Sequence, residues 1–334
     1  MEEQITIINR WNYPTAIYNY SRALSSISPY TKVIDITDKA LGPPISRKIK
    51  LFNLAYLGVN NILNVKEIKE NSIVHYADPM IAPFKLKNLS VVTIHDNPFK
   101  LLKTDLYDPN RLSRNYLERI FKKFRTIENV LTNTNYVKQH CEEFGFEGEI
   151  TTVYLPVAEH FKYLQEKHKL RRELGLPEDK FLILSVSTNT KRKNLGIVKK
   201  VMRELDGRFR LVRIGETLGN DYSFKDISND QVNVIYNACD LLLIPSIEEG
   251  QGLPVTEAFT VGLPVVASDL EVFHEIAGES AVFVNPTDYV DIIDGIKTII
   301  NEKDKYIRIG LKRSKLFTHS IFREKMLKYY NSLK

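Results

Sequence analysis

The sequence lacks several features that would place it in a specialised class of protein. Its 334 residues include two cysteines, Cys141 and Cys239, which lie far apart and have no C-x-x-C or histidine spacing around them. This excludes a zinc site of the usual kind, and both thiols are predicted to be small buried side chains. No apolar run approaches the roughly 20 residues that a membrane-spanning helix needs. The sequence also contains no repeats and no low-complexity tract.

The first residues give no targeting signal. Residues 1–12 carry Glu2 and Glu3 and no long apolar run, so no signal peptide is predicted. We therefore expect a cytoplasmic protein.

Size and charge set the remaining bounds. A hydrophobic content of 43% and a charged content of 26% are ordinary for a globular protein, and 334 residues favour two domains over one. The net charge of +6 favours acidic partners such as nucleotides, phospholipid surfaces or nucleic acid.

Short apolar strands alternate with helical segments along the first half, at residues 5–8, 33–36, 73–75 and 91–94. Alternation of this kind predicts a parallel sheet that is covered on both faces. The class is therefore α/β.

The most informative stretch runs from Leu241 to Asp269. It is predicted to form a buried strand, a loop with two glycines, a helix and a second strand, which together make one βαβ unit. Pro254 suits the first helical position, which would make Leu253 the cap. Because Leu253 offers no side-chain oxygen to the first amides of the helix, these amides are predicted to bind an anion, with a diphosphate as the commonest ligand.

Two carboxylates, Glu249 and Glu257, flank this loop eight residues apart. Neither can bind phosphate without repulsion, so sugar hydroxyls are the better partners. The alternative is that Glu257 only interacts favourably with the helix dipole and Glu249 is a solvated loop charge.

Glu249, Gly250, Gly252, Leu253, Pro254 and Glu257, with the flanking I-P-S and G-L-P-V-V-A-S strings, resemble the E-x7-E signature of retaining glycosyltransferases of the GT-B fold, family-4 type. The resemblance implies two Rossmann-like domains that face each other across a cleft. It implies that Glu249 lies near the donor sugar, that Glu257 binds the ribose, and that the amides of Gly252 and Leu253 hold the diphosphate.

A basic turn follows the predicted strand at residues 181–186. Its three cations, Lys191, Arg192 and Lys193, would repel one another unless an anion lies among them, although a solvated basic loop is the alternative. In similar enzymes a Gly-Arg pair follows this strand, and here Ser187 and Thr188 replace it. The resemblance implies that Lys193 first and Arg192 second bind the donor phosphate, with backbone approach at Ser187 and at Gly215.

Candidate acceptor residues lie in the first half. His95 follows a strand in a T-I-H-D string that resembles the N-terminal site of the family, with a structural histidine as the alternative. Trp11 and Tyr13 are suited to stacking on a sugar ring or, alternatively, to packing.

Residues 111–125 form a predicted basic amphipathic helix. Such a helix can lie on an anionic membrane or pack on its own sheet, and the second arrangement is the commoner one. Peripheral membrane association is therefore an open alternative to a purely cytoplasmic protein.

Together these observations predict an acceptor domain over residues 1–160, a nucleotide-sugar donor domain over 161–310 and a helix over 311–334 that crosses back. The implied function is transfer of a sugar from a nucleoside diphosphate to a sugar, lipid or other acceptor. The resemblance implies neither a cofactor nor a required metal. An epimerase or phosphorylase on the same fold, or a basic nucleic-acid-binding protein, remains the alternative, and no nucleic-acid recognition motif is present.

Overall fold

The computed structural model describes residues 5–9, 16–28, 31–35, 72–77, 89–97 and 125–333, with the single residues 100, 118 and 122. They divide into two compact units. The first contains the described residues up to Pro156 together with those from His319 onwards, and the second runs from Val157 to Thr318.

The first unit is built on a parallel sheet of six strands in the order β2-β1-β3-β4-β5-β6. Three described helices belong to this unit: α1, α2 and α10. The strands are β1 (Ile5–Asn9), β2 (Thr31–Asp35), β3 (Ile73–Tyr76), β4 (Ser90–Ile94), β5 (Asn129–Thr132) and β6 (Glu149–Thr152), and the helices are α1 (Ala16–Ser25), α2 (Asn135–Phe144) and α10 (His319–Ser332).

The second unit is a parallel sheet in the order β9-β8-β7-β10-β11-β12, which is the strand order of a Rossmann fold. Its strands are β7 (Phe181–Val186), β8 (Phe209–Ile214), β9 (Tyr222–Phe224), β10 (Leu241–Ile244), β11 (Val265–Ser268) and β12 (Val282–Val284). Its helices are α3 (Lys167–Glu173), α4 (Leu195–Glu204), α5 (Asn229–Ala238), α6 (Leu253–Thr260), α7 (Glu271–Ala277), α8 (Tyr289–Asn301) and α9 (Lys303–Ser314). The predicted pair of Rossmann-like domains is confirmed.

Apolar runs explain the central strands. Every residue of β10 is buried, as the uninterrupted run of leucine and isoleucine predicts for a parallel strand covered on both faces. One core cluster lies between the sheet and helices α4 and α8, and includes Ile183, Leu241, Leu243, Val266, Val198, Val201, Ile292, Ile296 and Ile299. Both cysteines are buried, as predicted. Within the described ranges, every helix is too short or too polar to serve as a bilayer-spanning segment.

A buried carboxylate ties several elements together at the amino-terminal edge of the second sheet. Asp240, which precedes β10, accepts hydrogen bonds from Arg171 Nη2 at 2.5 Å, Lys167 Nζ at 3.1 Å and the Leu182 amide at 2.9 Å, and Lys303 Nζ lies 3.4 Å away. Burial would raise the pKa of Asp240, but the three cations and the amide outweigh it and hold the pKa below its ordinary value. Asp240 therefore fixes α3, β7, β10 and α9 to one another.

A buried polar chain joins the last helix to the first unit. His75 Nδ1 lies 2.6 Å from the Tyr330 hydroxyl, and His75 Nε2 lies 2.6 Å from Thr93 Oγ1, which is in turn 2.8 Å from the Tyr20 hydroxyl. Burial lowers the pKa of His75 to about 3, with a smaller contribution from His95, so the ring is neutral. The chain connects α1, β3, β4 and α10.

We predict that Asp240→Asn destabilises the protein by about 3 kcal/mol at pH 7, because it leaves three cations without their carboxylate. The lowered pKa means that this stabilisation is present above the unfolded-state pKa of 3.8 and is lost as pH falls below it. Denaturant unfolding at several pH values measures the difference.

Asp206→Asn is the matched control, because the ion pair between Asp206 and Arg208 is solvent-exposed. It should leave the unfolding midpoint nearly unchanged at neutral pH. Equal effects of the two substitutions would contradict the role assigned to Asp240.

Candidate active site

The strand order places a ligand-binding crevice between β7 and β10. These strands are neighbours, yet the chain continues from β7 towards β8 on one side and from β10 towards β11 on the other. In open α/β sheets such a reversal leaves room for a ligand outside the carboxyl ends of the two strands. The connections that leave these ends are residues 187–194 and 245–252, which contain most of the predicted donor-binding residues.

Glu249 connects the two loops. Its side chain is 6% exposed, and its carboxylate accepts hydrogen bonds from Lys193 Nζ, from Arg192 Nη1 at 2.9 Å and from Ser246 Oγ at 2.8 Å. Arg192 also contributes its backbone, because its carbonyl accepts a hydrogen bond from the Ile247 amide at 2.8 Å. The basic turn and the glycine loop are therefore held together by one carboxylate.

Two opposing effects set the ionisation of Glu249. Burial raises the pKa of this carboxyl, whereas the charges of Lys193 and Arg192 and the hydrogen bonds from Lys193 and Ser246 lower it, and the net result is a pKa below the ordinary value. Glu249 is thus ionised at neutral pH. With two cations and one carboxylate, the cluster keeps one net positive charge, which favours an anionic ligand.

The helix after the glycine loop begins one residue earlier than predicted. The cap of α6 is Gly252, and Leu253 and Pro254 are its first two residues, so the prediction of Leu253 as cap and Pro254 as first residue is wrong. Gly252 adopts a left-handed conformation with φ of 75°, and a Cβ atom there would lie 2.4 Å from Phe273 Cε1. Only glycine tolerates both this backbone conformation and this close contact. The preference of proline for the first helical position, on which the prediction was based, carries no information about either.

The amides at the start of α6 differ in whether the protein itself already binds them. Gly252 provides no side-chain cap, Pro254 has no N–H, and the Val255 amide donates to the Gly252 carbonyl at 2.9 Å. Among the described residues, none accepts a hydrogen bond from the Leu253 amide. The Val255 amide is therefore engaged within the helix, whereas anion binding by the Leu253 amide stays a prediction.

Glu257 lies in the first turns of α6 and pairs with a tyrosine. The buried Tyr236 hydroxyl donates to Glu257 Oε2 at 2.5 Å. Burial raises the pKa of Glu257 to about 7, against the lowering effects of the Tyr236 hydrogen bond and the Lys193 charge. Glu257 can therefore bind a hydroxyl as acceptor when ionised or as donor when protonated.

Ser187 and Gly215 follow β7 and β8, the neighbouring strands. The Ser187 amide donates to the Ile214 carbonyl at 3.2 Å, and the Gly215 amide donates to the Phe224 carbonyl at 2.9 Å. Both N–H groups are therefore used within the sheet. Close approach of a ligand to their backbone, which the resemblance implies, remains a prediction.

The acceptor residues are described only in part. His95 follows β4, is half-buried, and its Nε2 lies 2.8 Å from the Ala77 carbonyl, which fixes Nε2 as the donor and leaves Nδ1 as an acceptor. Trp11 and Tyr13 lie outside the described residues. So does most of the basic segment 111–125, of which Lys122 forms an ion pair with Glu118 at 3.0 Å.

Three side chains of this region were not predicted as site residues. Tyr236 pairs with Glu257, and this pairing has no local signal because 21 residues separate the two. Ser246 lies in the flanking I-P-S string and binds Glu249. Arg213 interrupts an apolar strand between Val212 and Ile214, and a charge in such a run is a signal that could have been used.

We predict that Glu257→Gln is more stable than the wild type by about 3 kcal/mol above pH 7. A carboxyl whose pKa rises from 4.5 to about 7 on folding disfavours the folded state once the unfolded chain ionises, and glutamine removes this term. Below pH 4.5 the two proteins should unfold alike. Thermal unfolding between pH 4 and pH 8 tests this.

The exposed Glu279 supplies the control for that experiment. Glu279→Gln should show no pH-dependent difference from the wild type. A constant offset of Glu257→Gln across the pH range would contradict the assigned pKa.

The fold is shared with solved glycosyltransferase structures. Sucrose-phosphate synthase from Thermosynechococcus elongatus superposes with a TM-score of 0.81 at 16% identity, covering 99% of each chain. HepE from Anabaena, solved in complex with UDP-glucose, has a TM-score of 0.75 at 15% identity, covering 99% of this chain and 100% of that one. At these identities the likeness shows the fold alone, and the predicted GT-B fold is confirmed.

Sequence comparison also finds glycosyltransferases. The O-antigen chain mannosyltransferase RfbU of Salmonella typhimurium is 26% identical over 238 residues, which cover 66% of this chain and 63% of RfbU. The chain spans less than two thirds of the length of the first curated relatives that it matches.

A protein-family model matches the second unit of the chain. It is described as Glycosyl transferases group 1 and covers residues 166–315, a range that contains Lys193, Glu249 and Glu257. Residues 166–315 are therefore a domain of the glycosyl transferases group 1 family.

Proposed function

We propose that this protein is a retaining glycosyltransferase that moves a sugar from a nucleoside-diphosphate sugar to an acceptor. The observation that carries the proposal is the cluster of Lys193, Arg192 and Glu249 at the switch point of the group 1 domain. The structural relative HepE was solved with UDP-glucose, which supports a nucleotide-sugar donor. The resemblance to the E-x7-E signature supports retention at the anomeric carbon.

In this proposal the donor diphosphate binds Lys193, Arg192 and the Leu253 amide. Both cations are already paired with Glu249, so the diphosphate must share them with this carboxylate. Positive charge that is fixed before the ligand arrives stabilises the negative charge that develops on the leaving diphosphate. The catalytic contribution of these groups is therefore electrostatic.

The two glutamates divide the rest of the donor between them. Glu257 would bind the ribose hydroxyls, and Glu249 would lie beside the donor sugar while orienting Lys193. His95 remains the candidate for acceptor recognition in the first unit, where its Nδ1 atom can accept a hydrogen bond.

The alternatives receive no support from the relatives reported above. None of them is described as an epimerase, a phosphorylase or a nucleic-acid-binding protein. Product analysis with UDP- and GDP-sugars separates transfer from epimerisation, because transfer releases a nucleoside diphosphate and epimerisation does not.

A thermal-stability screen against UDP, GDP and ADP and their sugar conjugates tests the proposal directly. A ligand present at 100 times its dissociation constant should add about 2.7 kcal/mol to the free energy of unfolding. Absence of stabilisation by every member of the panel would refute the proposed donor class.

We predict that Lys193→Met weakens binding of the stabilising nucleoside diphosphate by about 100-fold, because it removes a charge-assisted contact to phosphate. Glu249→Gln should retain this binding or tighten it, since the competing carboxylate is gone, while transfer falls by about 100-fold or more. Calorimetry and turnover measurements on both variants separate the two roles. Equal loss of binding in both would contradict this division.

We also predict that treatment with EDTA leaves transfer unchanged, because the cations and the helix amide supply the charge needed at the leaving group. Turnover is measured before and after chelation, and after addition of Mg²⁺ or Mn²⁺. Loss of turnover that is restored by either ion would show that a metal takes part.

A further inference from the structure

A buried arginine holds the first residue of the turn that leads to the proposed donor-binding cations. Arg213, near the end of β8, has no exposed surface. Its guanidinium donates from Nη1 to Ser185 Oγ at 2.9 Å and Ser187 Oγ at 3.1 Å, and from Nη2 to the Ser187 carbonyl at 3.0 Å. Weaker contacts reach the Ser185 carbonyl from Nη1 and the Glu216 carbonyl from Nε, both at 3.4 Å.

All of these acceptors are neutral. Among the described residues, no carboxylate lies within ion-pair distance of Arg213. Burial lowers the pKa of Arg213, and Asp221 offsets this only through a longer-range attraction, since the carboxylate of Asp221 binds Thr217 and Ser223. A buried cation without a partner carboxylate is costly, so a nearby anion would relieve a real electrostatic penalty.

The position of Arg213 connects this charge to the site. It holds Ser187, the first residue of the turn that leads to Lys193, and it lies against Gly215 on the neighbouring strand. A Cβ atom at Gly215 would lie 2.4 Å from the Ser187 carbonyl oxygen and 3.0 Å from Arg213 Nη2. The guanidinium, the serine turn and the glycine are therefore packed in contact at the carboxyl edge of β7 and β8.

We infer that Arg213 is a positioning residue for the donor diphosphate: it fixes the Ser187 turn and supplies a buried positive charge without an ion-pair partner at the carboxyl edge of β7 and β8. This inference rests on the proposed function. Arg213 itself does not touch the ligand, because its side chain is covered by the protein.

The test compares ligands that differ only in their phosphates. Binding of UDP, GDP and ADP, and of uridine, guanosine and adenosine, is measured by calorimetry for the wild type, Arg213→Lys and Arg213→Gln. Arg213→Gln should weaken the preferred diphosphate by about tenfold or more and leave its nucleoside within about twofold. Arg213→Lys keeps the charge and should lose about threefold for the diphosphate only.

Arg171→Gln is the matched control, because Arg171 is also a buried arginine of this unit but lies at the opposite edge of the sheet, next to Asp240. It should lower the melting temperature without changing the ratio of diphosphate to nucleoside affinity. If Arg213→Gln does not fold, the affinity ratio of Arg213→Lys decides the question.

Two different failures are distinguishable. If the wild type binds none of the three diphosphates, the proposed function fails. If the wild type binds one of them and the Arg213 variants lose diphosphate and nucleoside equally, or lose neither, Arg213 has only a structural role and this inference is overturned.

Discussion

One buried carboxylate holds the switch point of the second unit in shape. Without Glu249, Lys193 and Arg192 would repel each other across a short turn, and no other contact of comparable strength joins that turn to the glycine loop among the described residues. Coulomb attraction in a poorly solvated site is large enough to order both loops. The basic turn and the glycine loop, which carry most of the predicted donor-binding residues, are therefore held together by this arrangement.

The Glu249 carboxylate has two opposing effects on the site. It holds two cations in place before any ligand arrives, which avoids reorganisation when phosphate binds. In the proposed function it also competes with the donor phosphate for those cations, so that tighter ion pairing would orient the cations better and bind the phosphate less strongly. In the inference drawn above, Arg213 would shift this balance towards the anion without adding a side chain to the ligand-facing surface.

Local patterns predicted the fold well. The leucine run of β10, the Gly-Pro punctuation around α6 and the alternation of strands and helices each specify their element within a few residues, because burial and backbone geometry act locally. Glu249, Lys193 and Glu257 were identified by sequence pattern, and the structure places all three in one domain around one switch point. The start of α6 was misplaced by one residue because the left-handed cap at Gly252 depends on the distant ring of Phe273.

Long-range pairs were beyond reach of the sequence. The bonds of Tyr236 to Glu257, of Arg213 to Ser187 and of His75 to Tyr330 join residues on different elements, and no spacing rule encodes them. The ion pairs of Glu249 with Lys193 and Arg192 were also not predicted, because the sequence pattern relates each of these residues to a ligand and not to the other two. Burial and pairing of this kind set the protonation state of a carboxyl group. The raised pKa of Glu257 could therefore be inferred only from the structure.

The bond between His75 and Tyr330 has a consequence for biosynthesis. These residues are 255 positions apart, and the whole of the second unit lies between them in the chain. A ribosome therefore releases every residue of the second unit before it releases the helix that completes the first. The imidazole of His75 therefore lacks its phenolic partner until the second unit has been synthesised in full.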